Sequence, residues 1–348
     1  MINGINYDTG FFVGEDSRPD FDEATAAREM RIIADDLHCD AVRISGGDPS
    51  RIEAASVHAA KVGLQVWFAP FPVDLDQAAM VEVVRDSASR AERLRASGAD
   101  VVLVTGCEIS LFGRGLIAGA TLPDRITTLI AGGPDLRTTQ QLTQQCLNDM
   151  LEVARSTFGG PISYASGIWE DVDWSGFDVV GIDGYRDEQN APYYRQLLAP
   201  GHRRGKPVVV TEFGCCTYRG AGACGGMGWM VGDPTADPPL DGTLQRDEQE
   251  QVDYFTQSMQ AFVDAGVHGA FWFTFGLYTT VRRPDDPTRD TDLASYGVVA
   301  MLDGGRHGTR YPSMSWEPKM VFDAMAMRYG QQESRLSAPA ARTTVYRE

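Results

Sequence analysis

Two glutamates stand where apolar runs end: Glu212 closes "KPVVVTE" and Glu108 closes "ADVVLVTGCE". The residues Pro207–Val210 suit a strand buried on both faces. A carboxylate at the end of such a strand must reach solvent, pair with a cation or belong to a site that uses it. Two carboxyl groups can divide labour, one ionised and nucleophilic, the other keeping a proton to give away. Other polar or aromatic side chains end comparable runs: Arg43 in "DAVRISGG", Asp183 and Tyr185 in "VVGIDGYRD", and Trp272 in "HGAFWFTF". Cys107 directly precedes Glu108. Whether these groups meet depends on the elements that carry them.

Those elements repeat. Amphipathic stretches ending in Gly run directly into apolar ones, as "HAAKVG" into "LQVWFAP", "ERLRASG" into "ADVVLVTG" and "QAFVDAG" into "VHGAFWFTF". Gly after a helix tolerates the left-handed conformation, and the chain then enters a buried strand. Strands are expected at 2–7, 39–45, 64–70, 99–107, 161–165, 177–183, 207–212 and 268–275. Helices are expected at 22–37, 50–62, 75–97, 137–158, 191–204, 245–265 and 317–329, with little more than a turn in "GIWEDVDWSGF". This α/β alternation predicts a single-domain (β/α)8 TIM barrel over residues 1–330. Long loops fall at 108–136, 213–244 and 276–315, after strands four, seven and eight, on the face where such barrels carry their sites. The polar stretch 331–348 is expected to be a disordered tail.

Composition narrows the function. Lys and Arg total 31 against 48 Asp and Glu, a net charge of −17, which argues against a nucleic-acid or anionic-membrane partner. No apolar run approaches the ~20 residues of a membrane span. "MINGINYDTG" lacks the basic and apolar regions of a signal peptide, so a cytoplasmic location is expected. Six cysteines without a CxxC spacing are no disulfide framework, and Cys215, Cys216 and Cys224 in one loop are read as reduced thiols ahead of a zinc or redox site. No histidine ends a strand, which counts against a metal-dependent barrel; no cofactor or metal is expected. The Gly-rich Arg219–Gly228 is a weak phosphate-loop signal, lying beyond its strand with no helix start behind it. Asp8, Asp48, Asp74 and Asp187 also follow strands, where most such residues form turns or caps.

The arrangement resembles clan A of the glycoside hydrolases, retaining enzymes built on (β/α)8 barrels. "VTEFG" is similar to that clan's nucleophile strand, and "SYGVVAMLDG…EPKMVFDAM" to its closing loop and helix. The resemblance implies Glu212 as nucleophile and Glu108 as acid/base. It also implies Arg43 as the hydrogen-bond partner of the nucleophile, Tyr185 as the tyrosine beside it and Trp272 as a platform under the bound sugar. The clan's strand four usually ends Asn-Glu, the Asn contacting the sugar 2-hydroxyl. Cys107 stands there instead, and a thiol does not replace an amide as a donor–acceptor pair.

The expected activity is therefore hydrolysis of a small glycoside or oligosaccharide by double displacement, with carboxyl groups ~5–5.5 Å apart. Asp183, Trp169 and Cys107 join Arg43, Tyr185 and Trp272 as candidate substrate contacts, with Trp174 and Trp229 extending the aromatic surface. The Cys107 departure keeps two alternatives open: non-hydrolytic chemistry on the same scaffold, such as transglycosylation or a biosynthetic step, and a glycan-binding pseudoenzyme.

Overall fold

Eight parallel strands close on themselves, each joined edge to edge to its neighbours in chain order. They are β1 (Ile2–Asp8), β2 (Ala41–Gly46), β3 (Gln65–Pro70), β4 (Val101–Cys107), β5 (Ile162–Gly167), β6 (Val180–Asp183), β7 (Val208–Phe213) and β8 (Gly269–Trp272). The computed structural model describes residues 1–13, 15–132, 135–199, 205–233 and 235–337. The predicted (β/α)8 barrel is the observed fold, and all eight expected strands are present.

The helices form where their signals stand. Asp22, Asp48 and Asp76 accept backbone N–H bonds at the starts of α1 (Glu23–Asp35), α2 (Pro49–Lys61) and α3 (Gln77–Ala96). The long excursion after β4 carries two short helices, α4 (Ile109–Phe112) and α5 (Leu122–Ile130), before α6 (Leu136–Thr157) returns to the sheet. After β5 there is only a single 3-10 turn at Trp174–Gly176, as the sequence "GIWEDVDWSGF" suggested. The helix expected at 191–204 is shorter, a 3-10 turn leading into α7 (Tyr194–Leu198), and 200–204 lie outside the described residues. Helix α8 (Glu248–Ala265) stops at Gly266, whose φ of 69° is the left-handed conformation expected at a helix end. The loop after β8 folds into a small sheet of Val281–Arg282, Val299–Leu302 and Trp316–Pro318. The last helix, α9 (Met320–Ser337), continues past residue 329, so the expected tail begins as helix, and its remainder, 338–348, lies outside the described residues.

Two apolar layers hold the barrel. One lies between the sheet and the helices; the other fills the interior with Ala41, Trp67, Val102, Val104, Val209 and Phe271. Gly4 permits the second layer, because a Cβ there would lie 2.3 Å from the Phe271 ring. Near its C-terminal mouth the filling changes from apolar to polar, and three strand pairs slip register there: β4 against β5, β6 against β7, and β7 against β8. Such irregularities re-aim side chains at the ends of strands.

A buried ionic knot ties the loops after β1 and β8 to the barrel. The Glu29 carboxylate on α1 is fully buried and accepts from Tyr7 Oη (2.5 Å), Arg18 Nη2 (2.9 Å), Trp316 Nε1 (2.9 Å) and Tyr278 Oη (3.0 Å). The Arg18 guanidinium stacks 3.6 Å from the Tyr278 ring centroid. Removing one partner of a buried pair leaves the other charge uncompensated, so Glu29→Ala should destabilise the fold by about 3–5 kcal/mol. Urea denaturation should show a midpoint lowered by that loss divided by the unchanged slope.

Candidate active site

The pairing of the strands brings the polar ends together. Asn6 of β1 is level with Arg43 of β2, and Asp183 of β6 is level with Glu212 of β7. Arg43 Nη1 donates to Glu212 Oε1 at 2.5 Å and to Asn6 Oδ1 at 2.7 Å. The predicted Arg43–Glu212 contact is present, made through one nitrogen shared with Asn6. Tyr185 Oη donates to Glu212 Oε2 at 2.9 Å, so both carboxylate oxygens have donors. Asn6 in turn donates to the Thr211 carbonyl at 3.0 Å, tying Arg43 to the strand that carries Glu212.

Cys107 and Asp183 complete the floor. Cys107 Sγ lies 3.4 Å from Asp183 Oδ2 and 3.5 Å from Glu212 Oε1, and Thr211 Oγ1 donates to Asp183 Oδ1 at 2.7 Å. The three ligand atoms offered by Cys107, Asp183 and Glu212 lie within 4.8 Å of one another, a grouping that can be read as a metal site. The Arg43 guanidinium already bound to Glu212 opposes a second cation there.

Glu108, the residue after Cys107, is differently held. Its backbone is left-handed, φ 43° and ψ 45°, a strained conformation for a residue with a side chain. The following turn enforces it. Ile109 N donates to Tyr164 Oη at 2.8 Å, Ser110 N to Glu170 Oε1 at 3.0 Å, and Tyr164 Oη to Glu170 Oε2 at 2.7 Å. Leu111 N and Phe112 N close the turn on the Glu108 carbonyl.

The electrostatics separate the carboxyls. Burial, then the charges of Asp183, Glu212 and Glu170, push the Glu108 pKa well above the ordinary range. Burial and the Glu212 charge do the same to Asp183. Burial opposes the charge on Arg43, yet Glu212, Cys107 and Asp183 outweigh it and raise its pKa. One carboxylate thus has a guanidinium bound to it, and its neighbours favour their protons.

Trp272 requires a correction. Phe271 turns into the barrel, so alternation sends Trp272 outward, where it is fully buried against Phe213, Tyr254 and Phe255, with its Nε1 donating to the Tyr296 carbonyl at 2.9 Å. It is a core residue and offers no sugar platform. The next residue, Phe273, is partly exposed and stands 5.9 Å from Tyr296, itself 5.9 Å from Tyr185, forming an aromatic wall beside Glu212. Trp174 is likewise core, packed between Tyr164 and Phe177. Trp169 is partly exposed, lies against Gly167 at the end of β5 and donates to Ser110 Oγ at 3.1 Å, beside the Glu108 turn. Trp229 is exposed.

Of the remaining candidates, Asp48 caps α2, Asp187 caps the turn to Asn190, and Asp74 pairs with Arg125 at 2.5 Å. Asp8 is buried, and burial raises its pKa to about 6. All six cysteines are unpaired. Sequence reasoning missed Asn6, Thr211, Glu170 and Phe273. Asn6, a polar residue near the end of a strand that the sequence places in the barrel, carried a readable signal; the others did not.

No protein-family model matches this chain, and no curated protein resembles it in sequence. Its fold does have solved counterparts. A GH113 β-1,4-mannanase superposes with a TM-score of 0.58 at 13% identity, over 94% of this chain and 97% of the other. A GH113 β-mannanase from Alicyclobacillus acidocaldarius gives 0.57 at 16% identity, over 95% and 97%. A β-glucuronidase from Ruminococcus gnavus gives 0.53 at 12% identity, over 94% of this chain and 48% of that one. The expected resemblance is thus borne out in fold: the chain shares its barrel with clan A glycosidases. Among the described residues, no helix is long and apolar enough to cross a membrane.

The raised Glu108 pKa predicts a pH-dependent stability. Below the unfolded-state value both states are protonated and the site has no cost. As pH rises through that value toward the higher folded one, the unfolded state gains by ionising and the fold loses stability. Glu108→Gln removes this loss. The variant should melt above wild type at pH 7 and together with it at pH 4, read by calorimetry.

Proposed function

We infer that the protein is a retaining glycoside hydrolase in which Glu212 attacks the anomeric carbon and Glu108 serves first as acid and then as base. The observation that carries this reading is the unequal treatment of the two carboxyls. Glu212 has Arg43 and Tyr185 bound to its two oxygens, whereas Glu108 sits where burial and like charge favour its proton. Double displacement needs that difference. When Glu212 forms the glycosyl ester its negative charge disappears. The field that kept Glu108 protonated weakens, and Glu108, having given its proton to the leaving oxygen, can now take one from water.

A neutral sugar fits better than a charged one. The Arg43 guanidinium is already committed to Glu212 and Asn6, so a uronate carboxylate would not gain it as a counter-ion and would lose its hydration without compensation. This favours the kind of substrate acted on by the mannanases over that of the glucuronidase. The partly exposed Phe273, and Trp169 beside the Glu108 turn, supply apolar faces for the C–H side of a pyranose.

Kinetics divide the roles. Glu212→Gln should abolish turnover of every glycoside. Glu108→Ala should slow substrates with poor leaving groups by 10²- to 10⁴-fold, the usual worth of general acid assistance, while sparing departure of an activated aryl group. Azide should then restore its rate and give a glycosyl azide of retained configuration. Equal losses for good and poor leaving groups would contradict the assignment.

A further inference from the structure

Glu212 shares the floor of the site with a second carboxyl that the double displacement does not use. Asp183 is 3% exposed and level with Glu212 across the β6–β7 pair. The charged or titratable groups around it are Arg43 from β2, Cys107 from β4, Glu108 directly after it, Tyr185 from the loop after β6 and Glu212 from β7. The strong donors go to Glu212, which receives Arg43 Nη1 at 2.5 Å and Tyr185 Oη at 2.9 Å. The hydrogen-bonding groups on Asp183 are neutral: Thr211 Oγ1 at 2.7 Å and Cys107 Sγ at 3.4 Å. Cys107 Sγ also lies 3.5 Å from Glu212 Oε1. A thiol has one proton, yet this sulfur faces two carboxyl oxygens.

The shortage resolves if one carboxyl brings its own proton. We propose that Asp183 is a neutral acid whose Oδ2–H donates to the Cys107 sulfur while the Cys107 S–H donates to Glu212 Oε1. The pair is a two-link donor chain that, with Arg43 and Tyr185, fixes the orientation of the Glu212 carboxylate. Burial and neighbouring carboxylates raise the pKa values of Asp183 and Cys107, so both keep their protons. No covalent bond changes at either residue, and the role is one of positioning. It replaces the expectation that Asp183 and Cys107 contact substrate: Cys107, 3% exposed, is directed at the two carboxyls.

The positioning role rests on Glu212 being the nucleophile; the chain of protons does not, so the test separates the two. In the full-length protein the S–H stretch falls in an otherwise clear infrared window, and its Cys107 component is the band lost in Cys107→Ser. Glu212→Gln should shift that band by weakening its acceptor. Asp183→Asn should leave it near the wild-type position, because the amide also donates to sulfur and accepts from Thr211. Asp183→Asn should also remove one protonated-carboxyl C=O band at neutral pH. In turnover, Asp183→Ala should lower kcat about tenfold or more, as expected when a buried group loses its partner, and Asp183→Asn should recover most of that loss with KM unmoved. A band shifted by Asp183→Asn but not by Glu212→Gln, or no acid carbonyl lost in Asp183→Asn, would show an ionised Asp183 and overturn the proposal. Bands that respond as expected in a protein inert toward glycosides would uphold the donor chain and refute the glycosidase reading instead. If Asp183→Ala does not fold, the infrared comparison of Asp183→Asn with Glu212→Gln decides alone.

Discussion

The arrangement of the barrel mouth depends on one buried cation. Arg43 lies on the inward face of β2, and its Nη1 holds both Glu212 and Asn6. A buried guanidinium without a counter-charge would be very costly, and so would a carboxylate at the end of a core strand. Each removes the other's penalty. The pairing also leaves Glu108 and Asp183 without a cation bound to them, so burial first, and then neighbouring carboxylate charge, favours their protons. The difference between the two carboxyls therefore follows from the burial of Glu108 together with the commitment of Arg43 to Glu212.

Geometry at Glu108 adds a second constraint. The left-handed backbone is held from outside by Tyr164 and Glu170, which occupy the first N–H groups of the short helix behind it. Strain at that residue is thus supported by a hydrogen-bonded frame belonging to β5 and its loop. In the proposed mechanism this frame keeps Glu108 in place while its protonation changes, as two successive steps need.

Much of this was legible in the sequence because it rests on strong local signals. Helices that end in Gly before apolar runs specify the βα alternation, and the strand-end glutamates and Arg43 follow from it. Trp272 was misread because the face of a strand residue depends on register, and a one-residue difference reverses it. The β7–β8 register shift at Ala270/Trp272 and the inward Phe271 ring packed over Gly4 are tertiary facts with no signature in "GAFWFTF". Glu170 was invisible for a related reason. Its importance lies in reaching back to the backbone of Ser110, 60 residues earlier in the chain. Cys107, by contrast, departs visibly from the Asn-Glu pattern, and its thiol faces the two carboxyls of the floor rather than open space.

The central claim is that Glu212, among three neighbouring carboxyls, forms the covalent bond. Incubation with a slow-turnover 2-deoxy-2-fluoroglycosyl fluoride of a neutral hexose, followed by peptide mapping in a mass spectrometer, addresses it directly. The account predicts one sugar adduct per chain, on the peptide containing Glu212, with Glu212→Gln unlabelled. An adduct on Glu108 or Asp183, or none in a protein that still turns over the parent glycoside, would contradict it.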